Sequence, residues 1–147
     1  MTDLHCHILP AIDDGAKNAK VSMELLRMQN DAGVTDIVCT PHFNPDSQNL
    51  EDFIDKRYRS ARYLADYVFC SELPVRLKFG AEVRISPTIL DLDFLPLCFQ
   101  KTKVMLLEMP RTLRPQWDTN VIYQLTLGGV IPLIAHIERY PYVQKKP

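Results

Sequence analysis

No apolar run in this 147-residue sequence approaches the roughly 18 residues that a helix needs to span a bilayer, so no membrane insertion is expected. The first ten residues, MTDLHCHILP, have neither the basic region nor the long apolar stretch of a signal peptide. The expectation is a soluble, cytoplasmic chain. An excess of either charge is missing too. Lys and Arg number 17 against 18 Asp and Glu, a formal net charge of -1, and the pI is near 6.4. Nucleic acid is therefore not expected as a partner, because such binding draws on a basic stripe. The four cysteines, Cys6, Cys39, Cys70 and Cys98, form no C-x-x-C pair, which argues against a zinc ribbon or a thioredoxin motif. They are expected to be free thiols buried in strands. No short repeat or low-complexity stretch occurs. What is present is an ordinary globular composition, 46% hydrophobic and 24% charged, enough for one core and one domain.

Short apolar runs alternate with longer amphipathic stretches. Residues 2–9, 36–40, 75–85, 104–109 and 130–135 read as five strands. Residues 19–32, 50–69 and 115–127 read as helices. In the first helix Val21, Leu25, Met28 and Ala32 share one face, and Gly33 supplies a stop. Strands that alternate with helices imply a parallel sheet with crossover connections. Both an open doubly wound sheet and part of a barrel fit this order. A full barrel of eight units takes about 250 residues, and this chain has room for about five. It stops at Tyr140-Pro141 and a Lys-Lys-Pro tail, after a strand and without a closing helix. The expectation is an α/β fold with about five parallel strands, part of an incomplete barrel. An unpaired edge strand and self-association through it would follow.

The ionisable residues fall at the ends of these strands. His5 and His7 are two apart, so in a strand both imidazoles face one side. His42 follows the second strand, Glu82 lies in the third, Glu108 closes the fourth and His136 follows the fifth. All four histidines of the chain lie at strand ends, where α/β folds gather ligands. Asp13 and Asp14 precede Gly15 in the loop after the first strand. Taken singly, a buried histidine is usually a satisfied core residue and Asp-Asp-Gly is usually a turn. Two glutamates among apolar neighbours are harder to explain by packing, since ionised carboxylates are rarely buried unpaired. Together the set points to metal. Mixed imidazole and carboxylate ligands suit Zn, Mn or Fe and not Ca. Six or seven ligands exceed the needs of one ion, so two or three ions sharing a bridging carboxylate are expected. Ions about 3.5–4 Å apart serve phosphoester cleavage.

These residues sit in five motifs: DLHCHILPAIDDGA at 3–16, TPHFNP at 40–45, GAEVRI at 80–85, LLEMP at 106–110 and AHIERY at 135–140. In order and spacing they resemble the PHP (polymerase and histidinol phosphatase) superfamily. Within it, they resemble the bacterial metal-dependent tyrosine-protein phosphatases of capsule and exopolysaccharide operons, the CpsB/YwqE type. The resemblance implies a distorted (β/α)7 TIM-like barrel, of which residues 1–147 form a C-terminally incomplete PHP domain. It implies a manganese centre of two to three ions, with iron or zinc as alternatives. His5, His7 and Glu82 would hold one ion. Glu82 would bridge to a second, held also by His42, Glu108 and His136, and Asp14 would lie by the third. Arg139 would contact phosphate. The reaction implied is attack of a metal-bound hydroxide on phosphorus, with no cysteinyl-phosphate intermediate. The implied substrate is phosphotyrosine on the tail of a bacterial tyrosine autokinase, a polysaccharide copolymerase. Two other readings stay open: a phosphoesterase of a small phosphorylated metabolite, and an inactive truncated chain that binds metal or phosphopeptide only. Three departures from the family pattern stand out. Ala11 replaces a usual glycine, His136-Ile137-Glu138 replaces a common His-Pro-Glu, and a late Asp-x-His has no counterpart. No His follows His136 and no Asp follows Asp118.

Overall fold

A computed structural model describes residues 1–144; the Lys-Lys-Pro tail named above lies outside the described residues. The elements run β1 (Thr2–Cys6), α1 (Ala19–Asp31), β2 (Asp36–Cys39), β3 (His42–Phe43), α2 (Leu50–Cys70), β4 (Arg76–Phe79), β5 (Glu82–Arg84), β6 (Val104–Glu108), α3 (Asp118–Leu127), β7 (Ile131–Ile134) and α4 (Pro141–Gln144). The strands form two all-parallel sheets, β1-β2-β4 and β3-β5-β6-β7. The connection from β5 to β6 has only two 3-10 turns, Pro87–Asp91 and Leu95–Leu97.

Among the described residues seven strands replace the five expected, for physical reasons at two places. The run at 36–40 continues past Pro41, which lacks an N–H for the ladder, and resumes as β3. The run at 75–85 is cut at Gly80-Ala81 into β4 and β5. A Cβ on Gly80 would lie 2.7 Å from the Phe99 ring, so glycine lets that ring close against the bend. Hydrogen bonds carry the ladder across both breaks, from Gly80 N–H to Cys39 O at 2.9 Å and from Glu82 N–H to Pro41 O at 3.0 Å. The first strand stops at Cys6, not residue 9, because the chain turns at His7 into a loop. That loop closes with a hydrogen bond from Ala16 N–H to His7 O at 3.0 Å. The helix expected from residue 115 begins at Asp118, after a turn from Pro115. One helical turn, α4, follows Tyr140.

Asn18 and Asn49 cap α1 and α2, accepting from Val21 N–H and Asp52 N–H. The face of α1 that packs inward is Ala19, Ser22, Met23 and Leu26. The face of Val21, Leu25, Met28 and Ala32, whose spacing marked the helix, turns outward: Met28 is 68% exposed, with Leu25 and Ala32 also on the surface. One apolar cluster, including Ile8, Leu26, Ile37, Val83, Leu107 and Tyr140, joins strands and helices into a common core. The cysteines are free, but only Cys6 and Cys39 lie in strands. Cys98 is buried in a loop and Cys70 is exposed at the end of α2.

Candidate metal centre

The parallel registers bring the ionisable residues to one edge. β3 and β5 pair His42 directly with Glu82, so both side chains share a face. Glu108 ends β6, and His136 lies two residues past the end of β7, after Ala135. Beside them β1 carries His5, with His7 just past its end; Cys6 N–H donates to Thr40 Oγ1 at 3.1 Å and holds that end against the next strand.

Glu82 is the hub, with its side chain 1% exposed. Its Oε2 lies 3.0 Å from His5 Nε2, 3.0 Å from His7 Nε2 and 3.2 Å from His42 Nδ1. Its Oε1 lies 2.9 Å from His136 Nε2, which is also 3.7 Å from Glu108 Oε1. Asp14 Oδ1 is 3.5 Å from His42 Nε2, on a side chain 83% exposed. Three sets have all their ligand atoms within 4.8 Å of one another: His5, His7 and Glu82; His7, Asp14 and His42; and His42, Glu82 and Glu108. The seven residues expected as ligands from sequence are thus neighbours in space.

The donor set can be tested against a metal. His7 Nδ1 lies 2.7 Å from Asp13 Oδ2. A carboxylate accepts, so this nitrogen carries a hydrogen. In the neutral ring Nε2 then offers a lone pair. It faces the Glu82 carboxylate and, at 3.3 Å, His5 Nε2. Lone pairs converge like this only around a cation, which is a proton or a metal ion. In the metal-free chain a proton takes the place. Burial pulls the His7 pKa down, but the hydrogen bonds to Asp13 and Glu82 outweigh it and bring it up to about 10. Burial raises Glu82, and its histidine partners, His5 first, hold it well below the usual carboxylate range. Imidazole with carboxylate is a donor set that Zn, Mn and Fe accept, so the residues fit divalent ions.

His136 carries a further sign of function. Its backbone is left-handed, with φ 32°, on a non-glycine residue. Its Nδ1 is buried with no partner among the described residues. Backbone strain and an unsatisfied buried polar atom each cost roughly 1–3 kcal/mol. Such costs cluster at functional positions, where the surrounding structure holds them in place.

The family described as "Capsular polysaccharide synthesis, CpsB/CapC" matches residues 1–147. This chain belongs to the CpsB/CapC family. It is 33% identical over 150 residues to the tyrosine-protein phosphatase YwqE of Bacillus subtilis (strain 168), covering 100% of this chain and 58% of that protein. It is 31% identical over 145 residues to the putative tyrosine-protein phosphatase CapC of Staphylococcus aureus, covering 95% of this chain and 54% of that one. Crystal structures of YwqE and of CpsB from Streptococcus pneumoniae describe both as unique metal-dependent tyrosine phosphatases. A chain from that work matches with a TM-score of 0.86 and 33% identity, over 98% of this chain and 58% of its own length. This CpsB/CapC chain therefore spans less than three fifths of the length of the relatives it matches.

Sequence reasoning about this CpsB/CapC chain left two residues unassigned. Asp13 was noted only as one of an adjacent pair, yet it is the one that touches His7. Arg111 had no signal in the sequence. It lines the same open cavity, of about 600 Å³, as His5, His136 and Arg139, and its Nη2 reaches Glu108 Oε1 at 3.3 Å. Arg139 stands on the rim, 64% exposed, with Glu138 3.6 Å from its Nε. One cysteine does stand six residues before an arginine, the spacing of a cysteine-dependent phosphatase: Cys70 and Arg76. The structure gives that spacing another meaning. Cys70 closes α2, and Arg76 opens β4 at the end away from the histidines, where it binds Asp36.

Proposed function

We propose that this chain carries most of the metal centre of a metal-dependent protein-tyrosine phosphatase that hydrolyses phosphotyrosine. The observation that carries the reading is Glu82, a buried carboxylate with four imidazoles at 2.9–3.2 Å. The names of the curated relatives support the reaction class. In this reading His5, His7 and Glu82 hold one ion. Glu82 reaches a second with His42, Glu108 and His136, and Asp14 serves a third. Manganese is the proposed metal, with iron and zinc as the alternatives these ligands accept.

Divalent ions so bound would supply Lewis acidity, lowering the pKa of water and neutralising charge on phosphoryl oxygens. The chain's own residues do the rest. Arg139 and Arg111, on the rim of the cavity, offer guanidinium forks to the remaining phosphate oxygens. Asp14, exposed beside His42, offers its carboxylate to an ion at the mouth of the site. The buried face of Glu82 excludes water from behind the ligands.

The fold belongs to the same proposal. Parallel strands taken in chain order support part of a PHP-type (β/α)7 barrel, with His5, His7, Glu108 and His136 at or just past the C-terminal ends of β1, β6 and β7, and with His42 and Glu82 opening β3 and β5 just after β2 and β4. The proposed partner is a phosphotyrosine protein, the tail of a bacterial tyrosine autokinase, met in the cytoplasm. No helix among the described residues is long and apolar enough to cross a membrane.

The test is phosphate release from a tyrosine phosphopeptide by the 147-residue chain with added Mn, with EDTA, and with His136→Ala. Release that needs Mn and is lost in the variant supports the reading. Release that persists in EDTA overturns it. A panel containing sugar phosphates and histidinol phosphate decides between a protein and a small-metabolite substrate. A phosphopeptide bound but not cleaved identifies a chain that needs further residues for turnover.

A further inference from the structure

We propose that Asp13 is the positioning residue of this centre, setting the proton on Nδ1 of His7 and pinning His42, so that ligands from two strand ends share one geometry. The inference rests on the metal reading above. Asp13 and Asp14 are adjacent, yet their side chains are opposites. The Asp13 carboxylate is 7% exposed and that of Asp14 is 83% exposed.

The two oxygens of Asp13 divide the work. Oδ1 accepts from Gly15 N–H at 3.0 Å, the usual turn made by an aspartate two residues before a glycine. A turn needs no more than that. Oδ2 does something else. It accepts from His7 Nδ1 at 2.7 Å and from His42 N–H at 3.0 Å. His7 follows β1 and His42 opens β3, so one oxygen ties together two elements that are not paired with each other. With Nδ1 committed as a donor, the lone pair of His7 is confined to Nε2, the nitrogen that faces Glu82. Histidine ligands generally owe their tautomer and ring orientation to such a second hydrogen bond. The loop is built tightly for this placement. A Cβ on Gly15 would come within 2.1 Å of His7 O, so only glycine lets the Asp13 turn lie against the histidine.

Asparagine keeps the shape of Asp13 but has a single acceptor oxygen. It can serve Gly15 or the His7–His42 pair, never both, and its amide then turns a donor toward a donor. The experiment is Zn(II) titration of the metal-stripped wild type and of D13N by calorimetry. It is combined with nitrogen-15 spectra of the histidine rings with and without Zn(II). The wild type should show a hydrogen-bonded Nδ1–H on His7 in both states. D13N should lose that signal and bind Zn(II) about 10- to 100-fold more weakly, with its far-UV circular dichroism unchanged. A folded D13N with wild-type affinity overturns the inference and leaves the metal reading standing. A wild type that binds no Zn(II) overturns the metal reading and this inference together. Should D13N fail to fold, the wild-type spectrum decides: Zn(II) on Nδ1 of His7, or no Nδ1–H there, overturns it.

Discussion

Glu82 has almost no exposed surface and, among the described residues, no cationic side chain of Lys or Arg against it; its partners are four histidines. Substituting Glu82→Gln keeps the volume and removes the charge that one nitrogen of each of the four imidazoles faces. Metal affinity should fall by more than about 100-fold, beyond what loss of an outer-shell partner costs. Calorimetric titration with Mn(II) and metal analysis after dialysis measure it, and uptake equal to wild type would remove Glu82 from the centre. Residues such as Glu82, Glu108 and the four histidines were legible in the sequence because charge and imidazole stand out against apolar strands. Asp13 was not, because two adjacent aspartates are identical on paper and only the loop backbone decides which turns inward. The left-handed backbone of His136 was equally hidden, since nothing in its neighbours demands it. Ala11 shows the reverse case. The resemblance leads one to expect glycine here; this chain has alanine, and the structure places it at φ 55°. That conformation costs an L-residue roughly 1–2 kcal/mol, against about 0.5–1 kcal/mol of extra chain entropy for glycine. Ala11→Gly should therefore stabilise the chain by about 0.5–1 kcal/mol, raising Tm by about 1–4 °C. Thermal melts of the two chains check it, and a lower Tm in the variant would show that the loop does not hold this backbone.

Among the elements, the extent of pairing was less legible than its direction. The apolar runs announced parallel strands, but runs 36–40 and 75–85 did not show that Pro41 and Gly80 would divide them between two sheets. Those divisions are what let His42 and Glu82 begin new strands as direct neighbours. In α1 the spacing of Val21, Leu25, Met28 and Ala32 marked the helix, while the face that packs inward is Ala19, Ser22, Met23 and Leu26. At the opposite end of the strands from the metal ligands, β2 and β4 are tied by Asp36 and Arg76, directly paired in the register. Arg76 Nε donates to Asp36 Oδ1 at 2.8 Å. The Arg76 guanidinium beside Asp36 lowers its pKa from 3.8 to about 2. A carboxyl with a depressed folded-state pKa binds its proton more readily when unfolded. Its contribution to stability is present above about 3.8 and is lost as pH falls toward about 2. Arg76→Gln removes the cause. Urea unfolding midpoints of wild type and variant should differ at neutral pH, and the difference should shrink across that acid window. A difference that stays constant down to pH 2 would place the effect of Arg76 elsewhere.

For the molecule as a whole, the core is closed around the inner strands and open at both flanks. Among the described residues β1 pairs only with β2, and β7 pairs only with β6, so each leaves one row of backbone donors and acceptors unpaired. Both flanks are apolar as well. Beside β1 the outer stripe of α1 presents Leu25 and Met28, around a cleft that Met1 and Val34 also line. Beside β7 stand Leu127 and Ile131, 65% and 61% exposed. Unpaired strand edges flanked by apolar surface favour pairing with a second chain, and the near-neutral net charge of -1 offers little repulsion against it. The 147-residue chain should therefore self-associate as its concentration rises, with sedimentation velocity showing species larger than a monomer. Burying a methionine or isoleucine side chain contributes about 1.5–3 kcal/mol. Placing lysine at Met28 and Ile131 together should raise the dissociation constant by at least about tenfold. Neither side chain lies in the metal cavity, so Zn(II) affinity should be unchanged in that double variant. A chain that sediments as a monomer at every concentration would show that these edges are quiet. Association that persists in the double variant would move the contact to another face.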